Sequence, residues 1–188
     1  MNKRGFTLLE LMISIAVLAI VSGALYTASM VLTQAAQSQE AKTTTIDNAQ
    51  SGMMLMVRNI RQASANSINW NDLPGPVLTF RAAQDVSGNG TAVDIGVNLE
   101  LGPVRTLTRD VNDLNGDGIT DRQLVLVEGG QARVITNGLL PDDGVLNRGL
   151  WFEQVGRGVR ITLQTEEAVL HQTMPMRTTL VETVVPRN

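Results

Sequence analysis

The chain has 188 residues, which suit one membrane-length helix and one small domain and leave no room for a second catalytic domain. Its net charge of −3, with 13 Arg and 2 Lys scattered along it, lacks the basic stripe of a nucleic-acid surface. It has no Cys, so packing, or packing aided by a metal, has to hold the fold without disulfides.

The chain opens Met1-Asn2-Lys3-Arg4-Gly5-Phe6-Thr7-Leu8-Leu9-Glu10, and residues 11–39 then contain no charge. About 20 mostly apolar residues span a bilayer as a helix, and residues 6–32 meet that length. Lys3 and Arg4 hold the start of the span on the cytoplasmic side. Glu10 is then a lone carboxylate at the head of an apolar segment, a costly placement that requires a partner. A secretory signal peptide has a shorter apolar core and a small-residue cleavage site. A generic anchor explains the hydrophobicity but neither Gly5-Phe6 nor Glu10.

Those residues carry a resemblance. Lys3-Arg4-Gly5-Phe6-Thr7-Leu8-Leu9-Glu10-Leu11-Met12 resembles the leader junction of type IV prepilins and type II secretion pseudopilins. The resemblance implies cleavage between Gly5 and Phe6 by a prepilin peptidase, followed by N-methylation of Phe6. It also implies that Glu10, the fifth mature residue, pairs with the N-terminal ammonium of a neighbouring subunit. Paired burial suits the electrostatics, since a buried charge is tolerated only with its counter-charge.

From residue 33 to 65 there is no Pro, and Ile46, Ala49, Met53, Met56, Ile60 and Ala63 recur at spacings of three and four. That periodicity predicts an amphipathic continuation of the helix, with Lys42, Asp47, Gln50, Arg58 and Arg61 on its wet face. Met53, Met54 and Met56 fit core packing better than an adaptable binding surface. Gly23 and Gly52 weaken the helix without ending it.

After Trp70 the character changes: 14 of the 17 Gly and all 6 Pro lie beyond it. Short β-branched runs predict antiparallel strands over 77–81, 93–99, 123–127, 132–136, 150–154, 159–164 and 178–184. Glu128-Gly129-Gly130-Gln131 and Val155-Gly156-Arg157-Gly158 predict two hairpins. The pattern alone gives helix followed by sheet; the resemblance implies an α+β, pilin-like fold whose long N-terminal helix packs on an antiparallel sheet. Its expected organisation is a leader (1–5), a transmembrane and assembly helix (6–32), its amphipathic continuation (33–68) and a β-rich domain (69–188).

A second motif lies at 113–121, where Asp113, Asn115, Asp117 and Asp121 alternate with Gly118 at the sixth position. With the Ile119 carbonyl, these oxygens match the opening of a calcium loop. The twelfth position is Leu124, not the bidentate Glu of an EF-hand, and Asp110 or Asn112 is a further oxygen donor. The competing reading is an Asn/Asp/Gly turn between strands.

Catalytic groups are scarce. His171 is the only His, and no Ser stands in a nucleophile motif. Asp142-Asp143 reads as a turn, and Glu166-Glu167 as a strand-end charged pair. Trp70, Trp151 and Phe152 fit core anchors better than a ligand-stacking surface. No enzymatic activity is expected.

The helical stretch Leu55-Met56-Val57-Arg58-Asn59-Ile60-Arg61-Gln62-Ala63 resembles minor pilins of the W type and minor pseudopilins of the J type. Thr27 stands where many major pilins carry a helix-kinking Pro. The resemblance implies a minor subunit that helps to initiate or cap a filament, in pilus biogenesis or type II secretion. Its implied partners are other pilin or pseudopilin subunits, the prepilin peptidase, an inner-membrane assembly platform and lipid. The implied topology is single-pass in the inner membrane, with a cytoplasmic N-terminus and an exported β domain. The alternative is a membrane-tethered, calcium-dependent adhesin or binding module.

Overall fold

The computed structural model describes residues 7–88, 90–92, 99–110, 122–141, 148–168 and 174–187. Among the described residues, one α-helix, α1 (Leu8–Gln62, 55 residues), precedes seven strands: β1 (Leu78–Ala83), β2 (Leu101–Arg109), β3 (Leu124–Glu128), β4 (Gln131–Thr136), β5 (Leu150–Val155), β6 (Gly158–Glu167) and β7 (Met176–Val184). The fold is α+β with a long apolar N-terminal helix, as in pilins. At 1.5 Å per residue, α1 is about 82 Å long.

The strands form two antiparallel sheets rather than one, in the orders β1-β2-β3-β4 and β5-β6-β7. Isolated bridges between Gly75 and Phe152 and between Leu139 and Thr165 tie them together. Both expected hairpins are present, with Glu128 opposite Gln131 and Val155 opposite Gly158. Gly129 and Gly130 have φ of 59° and 82°, the left-handed pair that a two-residue turn matched to strand twist requires.

β2 is not among the expected strands. Gly102-Pro103 argues against a central strand, because Pro donates no ladder bond. Here Ala83 pairs with Leu101 and Arg81 with Val104, so Gly102 and Pro103 form a bulge opposite Ala82. On its other side β2 meets β3 only from Arg105 onward, so Pro103 interrupts no ladder there. Most of the strand expected over 93–99 lies outside the described residues.

One core joins both sheets to the helix. Ala49, Met53, Met56 and Ile60 of α1 pack with Leu78 and Phe80 of β1, Leu150 and Phe152 of β5, and Ile161 and Leu163 of β6. Ala63, expected on the same apolar face, is buried in this core, and Ile46 is half-buried. Met53 and Met56 are core residues, as expected, whereas Met54 is exposed. Phe152 is a core anchor and Trp70 packs against the core, but Trp151 lies on the other face of β5.

The seam between helix and sheets is built from small residues. Ala41, Thr45, Ala49 and Gly52 are buried along α1, and a Cβ on Gly52 would lie 2.6 Å from Thr136 Cγ2 and 3.3 Å from Leu163 Cδ2. Gly52 therefore permits a close approach that any side chain would prevent. The approach brings two sheet hydroxyls onto helix carbonyls: Thr136 Oγ1 donates to Asn48 O at 2.9 Å and Thr165 Oγ1 to Thr45 O at 3.0 Å.

The helix ends at Gln62 rather than running to 68, and no Gly or Pro stops it. Backbone pairing captures the chain instead. Ser64 N donates to Arg81 O, Ala65 N to Arg187 O, and Arg187 N to Ala63 O, so the segment after α1 is held between β1 and the C-terminal end. This long-range pairing overrides a locally helical pattern.

Candidate functional site

The N-terminal end of α1 is organised by two side chains. Thr7 is the N-cap, with extended backbone (φ −79°, ψ 152°), and Glu10 occupies the third helical position. Glu10 N donates to Thr7 Oγ1 at 3.3 Å, while Glu10 Oε2 accepts from Thr7 N at 2.9 Å and from Thr7 Oγ1 at 3.1 Å. This reciprocal capping box satisfies amides that a helix start leaves open. A carboxylate in the first turn also complements the positive end of the helix dipole. Ser14 Oγ donates to Glu10 O at 2.8 Å, one turn further along.

From this cap the helix presents apolar side chains to every side. Residues 7–36 are all exposed, and the large apolar residues from Leu8 to Leu32 retain between 48% and 77% of their accessible surface. Contiguous apolar surface of this extent marks a membrane or partner contact. The helix is long and apolar enough to cross a membrane, with a mean hydropathy of 2.4 in its most apolar window and none of that window buried. Thr27 sits in unbroken helix, its hydroxyl donating to Ala24 O at 2.9 Å and Gly23 O at 3.2 Å.

Of the expected site residues, Glu10 is placed at this cap, while Gly5 and Phe6 lie outside the described residues. The calcium candidates Asp113, Asn115, Asp117, Ile119 and Asp121 also lie outside them, as do Asn112, Asp142, Asp143 and His171. The two stems of the 111–121 connection are described. Asp110, 2% exposed, donates its amide to Gln123 O at 2.8 Å. Leu124 is fully buried in β3, so the twelfth loop position is a core residue and supplies no ligand.

Beside the second stem, the Arg122 guanidinium donates to Glu166 O at 3.3 Å and Glu166 Oε1 at 3.4 Å, while Arg177 Nε reaches Glu166 Oε2 at 3.3 Å. Glu166 is thus more than a strand-end charge: it bridges two cations and ties the 111–121 stem to β6 and β7. The residues that sequence reasoning missed are Thr45, Gly52, Thr136 and Thr165. A signal for the helix pair existed, because Ala41, Thr45, Ala49 and Gly52 recur at spacings of four, four and three. Nothing in β4 or β6 distinguishes Thr136 and Thr165 from ordinary strand threonines.

A capped helix long and apolar enough to cross a membrane, with that apolar surface uncovered and a β domain joined to its far end, fits a membrane-anchored protein. Residues 1–26 match the family model described as the prokaryotic N-terminal methylation motif. That match, covering the leader and most of the apolar segment, supports a type IV pilin-like protein; the motif family is structural and non-enzymatic. The motif implies contacts with other pilin subunits and with the prepilin peptidase. No curated protein and no solved structure matches this chain.

Proposed function

We propose that the chain is a minor subunit of a type IV filament system, processed between Gly5 and Phe6, N-methylated on Phe6, and used to initiate or cap a pilus or a type II secretion pseudopilus. The observation that carries this reading is Glu10 at the head of a helix whose first half, residues 7–36, is exposed and largely apolar, in a chain whose residues 1–26 match the methylation motif. Its carboxylate is engaged through Oε2, and among the described residues Oε1 accepts no hydrogen bond. That oxygen is free to receive a neighbour's Phe6 ammonium, a pairing worth most where lipid or packed helices exclude water. An inner-membrane assembly platform extracts the subunit from lipid in this scheme, and the β domain ends up on the exported side.

The test separates processing from assembly. Glu10→Ala is expected to leave the leader cut and the β-domain melting temperature unchanged while removing the chain from sheared filaments. Wild-type incorporation by the variant overturns the assembly role of Glu10.

Within the same proposal, Asp113, Asn115, Asp117, Ile119 and Asp121 form a calcium loop that stabilises the β2–β3 connection. The alternation of oxygen-bearing residues supports it. At a dissociation constant of about 0.1 mM, millimolar calcium adds roughly 1.4 kcal/mol of stability. Equal melting temperatures with calcium and with chelator, in wild type and Asp117→Ala alike, contradict the loop's role.

A further inference from the structure

The second sheet carries an exposed apolar tip at the end that faces the start of α1. β6 runs antiparallel to the helix: Leu163 lies beside Gly52, and Thr165 Oγ1 donates to Thr45 O at 3.0 Å, nearer the N-terminus. Glu167 ends β6 and pairs with Met176 at the start of β7. Just beyond that pair Ala168, Met174 and Pro175 are exposed. Met174 retains 79% of its accessible surface, more than any large apolar residue of α1.

Helix geometry gives the height of this tip above a bilayer. About 20 residues counted from Leu11 cross the hydrocarbon and end near Met30. The β domain begins close by, since Gln37 and Ser38 are half-buried and Ala41 is buried. The helix rises about 10 Å from Met30 to Gln37, and the headgroup layer fills about 5–7 Å of that.

Strand register brings the tip to the same height. Thr178 pairs with Thr165, which is bonded at Thr45. From Thr178 back to Met174 the chain reaches up to about 13 Å further toward the membrane at 3.3 Å per residue. On a helix that rises about 1.5 Å per residue this is the height of residue 36, one methionine side chain from the headgroups. A helix tilt of about 20° toward this side, ordinary for a membrane span, lowers the tip further.

The chemistry of the tip suits lipid. Met174 and Pro175 are followed by half-buried Met176, a run without charge. An unbranched thioether adapts to an irregular surface, and an apolar side chain at the boundary of headgroups and acyl chains gains by leaving water. The uncovered apolar surface of residues 7–36 begins at the same height and enters the same bilayer, so the two surfaces are continuous.

We infer that Met174 enters the headgroup layer of the leaflet on the β-domain side, a second membrane contact that fixes how the β domain is turned about α1. The inference rests on α1 spanning the membrane and goes beyond the filament reading.

The chain has no Cys, so single spin labels can be placed on it. The full chain is reconstituted in phosphatidylcholine vesicles with a label at Met174→Cys, at Leu18→Cys in the span, or at Arg157→Cys in the hairpin at the opposite end of the second sheet. Collision with oxygen, which concentrates in lipid, is compared with collision with a water-soluble nickel chelate. The oxygen-to-nickel ratio is expected to be highest at Leu18, and severalfold higher at Met174 than at Arg157. With the label moved to Ala168→Cys, Met174→Ser is expected to lower the ratio severalfold toward that of Arg157, with the melting temperature unchanged.

A water-like ratio at Met174 with Leu18 in lipid overturns the inference and leaves the anchor standing. A water-like ratio at Leu18 overturns the membrane span and the inference with it. Shielding of Met174 from both reagents marks a protein occupant and overturns the lipid contact. An unchanged ratio at Ala168 on Met174→Ser removes Met174 from that contact.

Discussion

The two halves of α1 are continuous in backbone and opposite in what they require. Residues 7–36 leave every side chain exposed, whereas Ala41, Thr45, Ala49, Gly52, Met53, Met56 and Ile60 bury a stripe against both sheets. The first half is apolar all round and needs an apolar surrounding, either lipid or packed helices. The second is amphipathic and brings its partner with it in the same chain. A 55-residue helix thus meets both requirements with one hydrogen-bond ladder: the β domain is packed at one end, and the exposed apolar surface is kept clear of that domain at the other.

That contrast is sharpest in core truncations. Phe152→Ala removes a fully buried ring from the core shared by the sheets and α1 and is expected to destabilise the β domain by about 3–5 kcal/mol. Leu18→Ala, 65% exposed on the other half, is expected to change it by less than about 0.5 kcal/mol. Denaturant melts of both variants in the same detergent check the pair; equal losses would mean that the halves are not energetically separate.

A smaller effect is expected at the seam. Gly52→Ala places a methyl 2.6 Å from Thr136 Cγ2 and forces helix and sheet apart, at a cost of about 1–3 kcal/mol. Gly23→Ala, with nothing within 4 Å of the added carbon, is expected to leave the β domain unchanged. If Gly52→Ala were neutral, the close approach would not matter to stability.

The smallest expected effect is electrostatic and confined to the β domain. The Ser87 side chain and backbone, with the Val86 amide, hold the Glu100 carboxyl below its ordinary value of 4.5. A depressed carboxylate stabilises the fold above its unfolded value, and the contribution is lost as pH falls through the folded value. Glu100→Gln is therefore expected to remove a slight loss of melting temperature that wild type shows below pH 4.5. Parallel wild-type and variant curves across that range contradict the assignment.

Legibility in the sequence tracked the range of the interactions. Helix periodicity over Ala49, Met53, Met56 and Ile60, and the turn chemistry of Gly129-Gly130 and Gly156, act between near neighbours, and the structure places them as expected. β2 was hidden because Gly102-Pro103 reads as a break until a bulge opposite Ala82 accommodates it. The helix end at Gln62 was hidden too, because Arg81 and Arg187 set it from far away in the chain. The division into two sheets likewise depends on long-range pairing.

At the N-terminus, the sequence singled out Glu10 for an intermolecular contact, and the structure adds an intramolecular one. Thr7 and Glu10 form a capping box whose members are both visible in Thr7-Leu8-Leu9-Glu10 as a Thr-x-x-Glu pattern. In the proposed scheme the same carboxylate that caps the helix through Oε2 also meets a neighbouring subunit.

The central claim is that residues 1–5 are a leader removed to make an assembly-competent helix. Mass spectrometry of the mature chain, purified from cells that hold an active prepilin peptidase, tests it most directly. The account predicts a protein that begins at N-methylated Phe6; a chain that retains Met1, or one cut beyond residue 25, would contradict it.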